Sequence, residues 1–196
     1  MNRPILLTGL MGSGKTIVAE KLVNEHSYIK VSMAKWIKET VKKHYGLELI
    51  DKSKFINDKS MRTILQEVGM YMRDIDPLWH IQEVCNQIFY NDNKLFVIDD
   101  VRFKNEVEVL SKIYNCMVIK IKCDKTKRLE QIRSRDNVVP TENQMNDSSE
   151  LEVNKIPYDY VITNNGTIDE LFDRVNQILR SDKDERTETR NCRTNS

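Results

Sequence analysis

Several things are scarce in this sequence. None of its four cysteines (Cys85, Cys116, Cys123, Cys192) stands in a C-x-x-C pair, and its three histidines (His26, His44, His80) are scattered. Neither a zinc site nor a disulfide framework is expected, and a reducing, cytoplasmic setting is. No apolar run approaches the roughly 18 residues of a membrane span. The opening residues carry a short apolar run that ends at a glycine, without the cleavage site of a secretory leader. An excess of one charge is also missing. The 31 Lys+Arg and 30 Asp+Glu leave a net charge of +1, which gives no electrostatic reason to expect nucleic-acid or membrane partners. Glycine is rare, with six residues in 196, yet three of the six fall at Gly9, Gly12 and Gly14.

The length fits one domain. Short apolar runs, Ile5–Leu7, Tyr28–Val31, Leu95–Ile98, Met117–Ile121 and Tyr160–Ile162, alternate with helical patterns near 14–26, 33–45, 59–73, 77–91, 103–114, 124–135 and 168–180. Two helices have clear start signals. Asp76-Pro77 supplies an N-cap and a first-turn proline. Thr167 with Glu170 forms a capping box ahead of Leu171 and Val175. Strands alternating with helices predict an α/β fold, and the third run, apolar throughout, reads as a strand covered on both faces. In such folds ligands gather beyond the carboxyl ends of the strands. From Ser181 to Ser196 the sole apolar residue is Cys192, so the folded part is expected to span 1–180 and the tail to be disordered.

The clustered glycines belong to Gly9-Leu10-Met11-Gly12-Ser13-Gly14-Lys15-Thr16, which fits G-x-x-x-x-G-K-[ST] between a predicted strand and a predicted helix. Glycines let successive N–H groups turn toward phosphate oxygens, and the following helix N-terminus adds its dipole. Lys15 can reach the β- and γ-phosphates, and Thr16 can hold Mg²⁺. Gly9, Gly12, Ser13, Gly14, Lys15 and Thr16 are therefore the candidate ATP site, with ATP and Mg²⁺ the expected cofactors. A GTPase's N-K-x-D is absent; Asn154-Lys155-Ile156-Pro157 lacks the Asp. The length suits a compact kinase of a small molecule.

Other candidates follow from spacing. The third strand ends in Asp99-Asp100, where an acid can face a metal or a substrate. Met61, Leu65, Val68 and Met72 form an apolar stripe. Arg62, Gln66, Gly69 and Arg73 form a polar one beside it, predicted to rim a cleft in which Gly69 leaves room for a ligand. After the fourth strand, Arg128 and Arg135 lie seven residues apart in a basic helix, as cations for a moving phosphoryl group. Residues 137–157 are polar and long for a connection, which predicts a mobile lid within 124–157.

Taken together these residues resemble the bacteriophage-type deoxynucleoside monophosphate kinases. The likeness spans most of residues 3–180. It rests on Gly9–Thr16, on Ala34-Lys35-Trp36-Ile37-Lys38, on Arg62 through Gly69, on Asp100-Val101-Arg102 with Glu106, and on Ile162 through Leu171, with Asp76 and Trp79 in support. The resemblance implies a phosphate-loop fold of three layers, α/β/α, with a mostly parallel five-stranded sheet, an acceptor region over 33–91 and a lid. It implies transfer from ATP to a deoxynucleoside monophosphate. Lys38, Arg62, Gln66, Arg73, Trp79, Arg102 and Glu106 then serve the acceptor. Asp100 joins Thr16 at the metal, and Lys15, Asp100, Arg128 and Arg135 serve transfer. Asn164 and Gly166 lie near the donor's base. One departure is visible. The family often has His-x-[ST]-Glu before the last strand, where this chain has Asp147-Ser148-Ser149-Glu150. Two other readings stay open: a kinase of another acceptor, such as dephospho-coenzyme A or phosphomevalonate, with Asp100 as base, and an ATP-binding regulator. Homodimerisation is left open too.

Overall fold

The computed structural model describes residues 3–51, 54–92, 95–137 and 139–194. Its centre is a parallel sheet. β1 (Ile5–Thr8) leads through the glycine loop into α1 (Lys15–His26), then β2 (Ile29–Val31) and α2 (Lys35–Tyr45). A two-stranded hairpin, β3 (Phe55–Ile56) and β4 (Lys59–Ser60), precedes α3 (Met61–Ile75) and α4 (Trp79–Tyr90). β5 (Phe96–Ile98), α5 (Lys104–Tyr114), β6 (Met117–Lys122) and α6 (Lys125–Asp136) come next. The short α7 (Glu142–Met145) and α8 (Ser148–Glu152) and a 3₁₀ turn at Val153–Lys155 lead to β7 (Tyr160–Thr163) and α9 (Ile168–Thr194). The order across the sheet is β2-β5-β1-β6-β7, and every pairing in it is parallel.

The period of two along β1 makes this a three-layer fold. Ile5 and Leu7 face one side, packing with Val18, Ala19 and Leu22 of α1 and Leu171, Val175 and Leu179 of α9. Leu6 faces the other, with Ile81, Val84 and Ile88 of α4 and Val107 and Leu110 of α5. A strand covered on both faces needs apolar residues at every position, and all four residues of β1 are buried. A third, smaller cluster joins Ile37 and Val41 of α2 to Met61 and Ile64 of α3, with Trp79 against it. These helices thus have their own core beside the sheet's carboxyl edge.

The five strands and seven helices expected from the sequence are present, with three differences. α4 begins at Trp79 rather than Pro77, because Asp76 Oδ1 accepts from the Leu78 N–H (2.9 Å) and holds Pro77-Leu78 in a turn. The lid segment is not a bare loop, since α7, α8 and the 3₁₀ turn fill it. Thr141 and Gln144 cap α7 reciprocally, and Lys120 Nζ donates to the carbonyls of Val153 and Asn154 (both 3.4 Å). The tail expected to be disordered continues α9 to Thr194, while Asn195 and Ser196 lie outside the described residues. Asp182, beyond the expected end at Arg180, is buried and pairs with Arg3 at 2.8 Å. A helix already nucleated propagates readily through Lys, Glu and Arg. The capping box expected at Thr167 forms, with Thr167 N–H donating to Glu170 Oε2 (3.1 Å) and Glu170 N–H to Thr167 Oγ1 (3.2 Å).

Candidate active site

The glycine loop lies at the carboxyl end of the central strand. Gly9, Gly12 and Gly14 have φ of 148°, 78° and 102°. A Cβ on Gly9 would lie 2.3 Å from the Ile121 carbonyl oxygen, and one on Gly14 would lie 2.4 Å from Asn164 Nδ2. The loop is therefore closely packed from behind, and only glycine fits it. Gly14 caps α1 without a side-chain hydrogen bond. The first-turn N–H groups of a helix have no intrahelical acceptor, so this end suits an anion. Ser13 Oγ is buried without a partner. A cradle that side chains cannot enter, an uncapped helix end and an orphaned hydroxyl all fit a polyphosphate.

Lys15 turns back over this loop and donates to the carbonyls of Gly9 (2.6 Å) and Leu10 (3.0 Å). Burial pushes its pKa down to about 7, and Arg102 acts in the same direction, while Glu150, Asp99 and Asp100 oppose it. Phosphate oxygens would replace the two carbonyls as partners and favour the charged form. No cluster of three or more metal-ligating side chains occurs among the described residues. Mg²⁺ typically keeps several waters and leans on one or two protein groups plus substrate phosphates; Thr16, half-buried in the first turn of α1, could be one of them.

Beyond the loop is a cavity of about 200 Å³, lined by Lys38, Arg62, Gln66, Gly69, Arg73, Arg102 and Glu150 among others. Thus α2, α3, the segment after β5, and α8 converge on one space. The polar stripe of α3 faces it as the spacing predicts. Each of its arginines is held. Arg62 donates to Asp136 Oδ2 (2.5 Å) and lies against Met11 Sδ (2.8 Å). Arg73 donates to Glu106 Oε1 (2.7 Å) and stacks on the Phe103 ring at 4.2 Å. Arg102 pairs with Glu150. Burial lowers the Arg62 pKa, and Asp136 raises it.

Glu106 is buried and also accepts from the backbone N–H groups of Arg102 (2.8 Å) and Phe103 (3.1 Å). It therefore orients the arginines rather than facing the cavity. His80 is buried, with Nε2 3.2 Å from the Gly69 carbonyl, and that contact assigns the ring proton to Nε2. Burial and Arg73 push its pKa down, so the ring is neutral near pH 7.

Other expected residues sit differently. Both oxygens of Asp100 are engaged by the loop after β2: Ser32 Oγ (2.6 Å), Met33 N–H (2.9 Å) and Ala34 N–H (3.1 Å). That fixes the start of α2 and leaves Asp100 poorly free to act as a base. Asp99 is buried and bound to Lys30 at 2.8 Å. Arg128 reaches the phosphate loop, donating to the Met11 carbonyl (3.1 Å). Arg135, half exposed, is bound through two hydrogen bonds of 2.8 Å to its neighbour Asp136, a pairing that stiffens the end of α6. Trp79 does not line the cavity; its ring stands edge-on to Trp36 at 5.1 Å. Gly69 lines the cavity as expected, and a Cβ there would crowd Ile37 Cδ1 at 3.2 Å. Asn164 is buried behind the loop and donates to the Ser13 carbonyl (2.9 Å). Gly166 is exposed, and its carbonyl accepts from Lys127 Nζ (2.5 Å).

Glu150 was not expected. It is 2% exposed, with one oxygen on Arg102 and the other accepting from the Met11 N–H of the phosphate loop (2.8 Å). Gln144, from α7, donates to Ser60 Oγ (2.7 Å) and Thr63 Oγ1 (2.9 Å), clasping α7 to the start of α3.

Comparison with known proteins agrees with this geometry. A model of the AAA domain family matches residues 5–153. The chain is 24% identical over 203 residues to the dephospho-CoA kinase of Lactobacillus acidophilus, covering 94% of this chain and 100% of that one. In fold it is similar to TT1252 of Thermus thermophilus (TM-score 0.56, 16% identity, covering 92% of this chain and 98% of that one). It is also similar to shikimate kinase of Acinetobacter baumannii in complex with shikimate (TM-score 0.55, 19% identity, 92% and 94%). The chain belongs to the AAA domain family of phosphate-loop proteins, and it is an ATP-dependent phosphotransferase.

Proposed function

We propose that the acceptor is a nucleoside 5′-monophosphate, preferentially a deoxynucleotide, which is converted to its diphosphate. The observation that carries this reading is the charge inventory of the cavity. Three guanidinium groups, Arg62, Arg73 and Arg102, reach it together with Lys38. The two carboxylates lining it, Asp100 and Glu150, have both of their oxygens in hydrogen bonds. An alcohol acceptor calls for a general base. A monophosphate is largely dianionic at pH 7 and attacks without one. What it needs is cations to hold it in line and to offset repulsion between two phosphates, and arginine's planar fork supplies them. Glu106 fixes Arg73 and the Arg102 backbone for this task. ATP with Mg²⁺ supplies the transferable phosphoryl group; Lys15 and the loop N–H groups would hold its phosphates, with Thr16 toward the metal. The preference for the deoxy sugar rests on the motif resemblance.

The second reading is an alcohol acceptor of the dephospho-coenzyme A type. The likeness over nearly the whole chain to a dephospho-CoA kinase favours it. It requires Asp100 to release at least one of its partners. One experiment separates the two. The protein is incubated with Mg–ATP and each of the common deoxy- and ribonucleoside monophosphates or dephospho-coenzyme A, and products are read by mass spectrometry. Diphosphates formed from monophosphates support the proposal. Turnover of dephospho-coenzyme A alone overturns it.

A further inference from the structure

All three cavity arginines are matched by carboxylates, and two of those carboxylates come from the segment after β6. Arg73 is held within the core by Glu106. Arg62 is held by Asp136, the last residue of α6, and Arg102 by Glu150 of α8. Glu150 is the more telling of the two. It is nearly wholly buried, and its oxygens bridge Arg102 of the cavity and the Met11 N–H at the junction of cavity and phosphate loop. Its charge also acts on Lys15 and Arg62. A carboxylate bound to a guanidinium and a loop N–H has the same recognition chemistry as a phosphate.

The Met11 N–H cannot serve Glu150 and a phosphate at once, and Arg102 already spends one of its nitrogens on Glu150. A backbone N–H has one proton. Keeping Glu150 in place would put three anions, two phosphates and a carboxylate, among Lys15, Arg62 and Arg102, with Arg62 already committed to Asp136. We infer that Glu150 is an internal competitor for the acceptor phosphate: an incoming phosphate takes Arg102 and the Met11 N–H by displacing the Glu150 carboxylate, and α8 moves away as it does so. This rests on the reading that the cavity takes a phosphate. The structure supplies a pivot. Lys120 ties down Val153 and Asn154 just after α8, and Val153 is fully buried. On the other side, α8 follows the exposed Asn146. Acceptor entry is thereby coupled to movement of the segment that covers the site.

The test uses inorganic phosphate as the probe, with the full chain saturated with Mg–ADP so that the loop's own phosphate sites are filled. Glu150→Gln keeps the shape and removes the charge. Because hydrogen bonds to charged groups are the stronger ones, the variant should bind phosphate about tenfold more tightly by calorimetry. With a true acceptor, its KM should fall by a similar factor while kcat changes little. In the wild type, phosphate should speed amide exchange across residues 148–152, a readout that needs no variant and stands even if Glu150→Gln folds poorly. Equal or weaker phosphate binding by a folded variant overturns the inference, because a carboxylate that merely orients Arg102 gives that result. So does an exchange rate at 148–152 that phosphate leaves unchanged. Should no monophosphate be phosphorylated while phosphate still displaces α8, the proposed function fails and this inference stands. Turnover of a monophosphate without displacement gives the reverse.

Discussion

Lys15 offers a test in which stability and chemistry point in opposite directions. Its ammonium group is buried against two carbonyls, and its pKa falls from 10.5 to about 7. Below pH 7 both the folded and the unfolded chain hold the proton. Between about 7 and 10.5 the unfolded chain holds it and the folded chain has released it, so stability rises with pH across that window. At about 1.4 kcal/mol per pKa unit, the interval is worth about 5 kcal/mol in full and about 2 kcal/mol between pH 7 and pH 9. Lys15→Met removes the titration while keeping most of the volume. Urea unfolding of both proteins at pH 7, 8 and 9 should show the wild type gaining about 2 kcal/mol on the variant over that range. Turnover by the variant should be lost. Mg–ATP should restore the charge, so that binding at pH 8 takes up roughly one proton in the wild type, as read by calorimetry in buffers of different ionisation enthalpy. Parallel pH slopes for the two proteins would show that Lys15 is charged throughout and would refute the reasoning.

Three further outcomes follow from the packing around the site. Gly9→Ala sets a Cβ against the Ile121 backbone carbonyl at 2.3 Å; neither backbone can yield easily, so a loss of about 2 kcal/mol or more in urea unfolding is expected, together with loss of ATP binding. Asn164→Ala leaves the Ser13 carbonyl without its buried donor; it should cost about 1–3 kcal/mol and raise the KM for ATP more than that for the acceptor. Asp182→Ala strips Arg3 of its 2.8 Å partner; a loss of about 2 kcal/mol and faster amide exchange in α9 beyond Arg180 are expected, with catalysis unchanged.

What could be read from the sequence was what is local. The strands, the seven main helices and the glycine loop each announce themselves within about ten residues, through periodicity, caps or spacing. The polar stripe on α3 was legible for the same reason, since 3.6 residues per turn fixes which side chains share a face. The β3–β4 hairpin has a local signal too. Asn57 and Asp58 both have positive φ (47° and 62°), and those residue types tolerate the left-handed turn a two-residue hairpin requires. Glu150 could not be found this way. It stands in a polar stretch where an exposed acid is the ordinary expectation, and its partners lie 139 and 48 residues away. The roles of Asp100 and Asn164 were likewise hidden, because hydrogen bonds to Met33 and Ser13 are products of the tertiary fold. The extension of α9 past Arg180 has a different origin. Low hydrophobicity excludes a new core, but it does not stop a helix that has already begun.

The Arg3–Asp182 pair, with the Tyr28 hydroxyl donating to the Arg3 carbonyl (2.9 Å), sets the start of β1 beside the last helix. Leu171, Val175 and Leu179 of that helix cover the same side of the sheet as Ile5 and Leu7. On the ribosome, then, the nucleotide-gripping strand is made well before the helix that covers it, and one oily flank stays bare until α9 has been synthesised. Competence to hold ATP consequently waits on that helix.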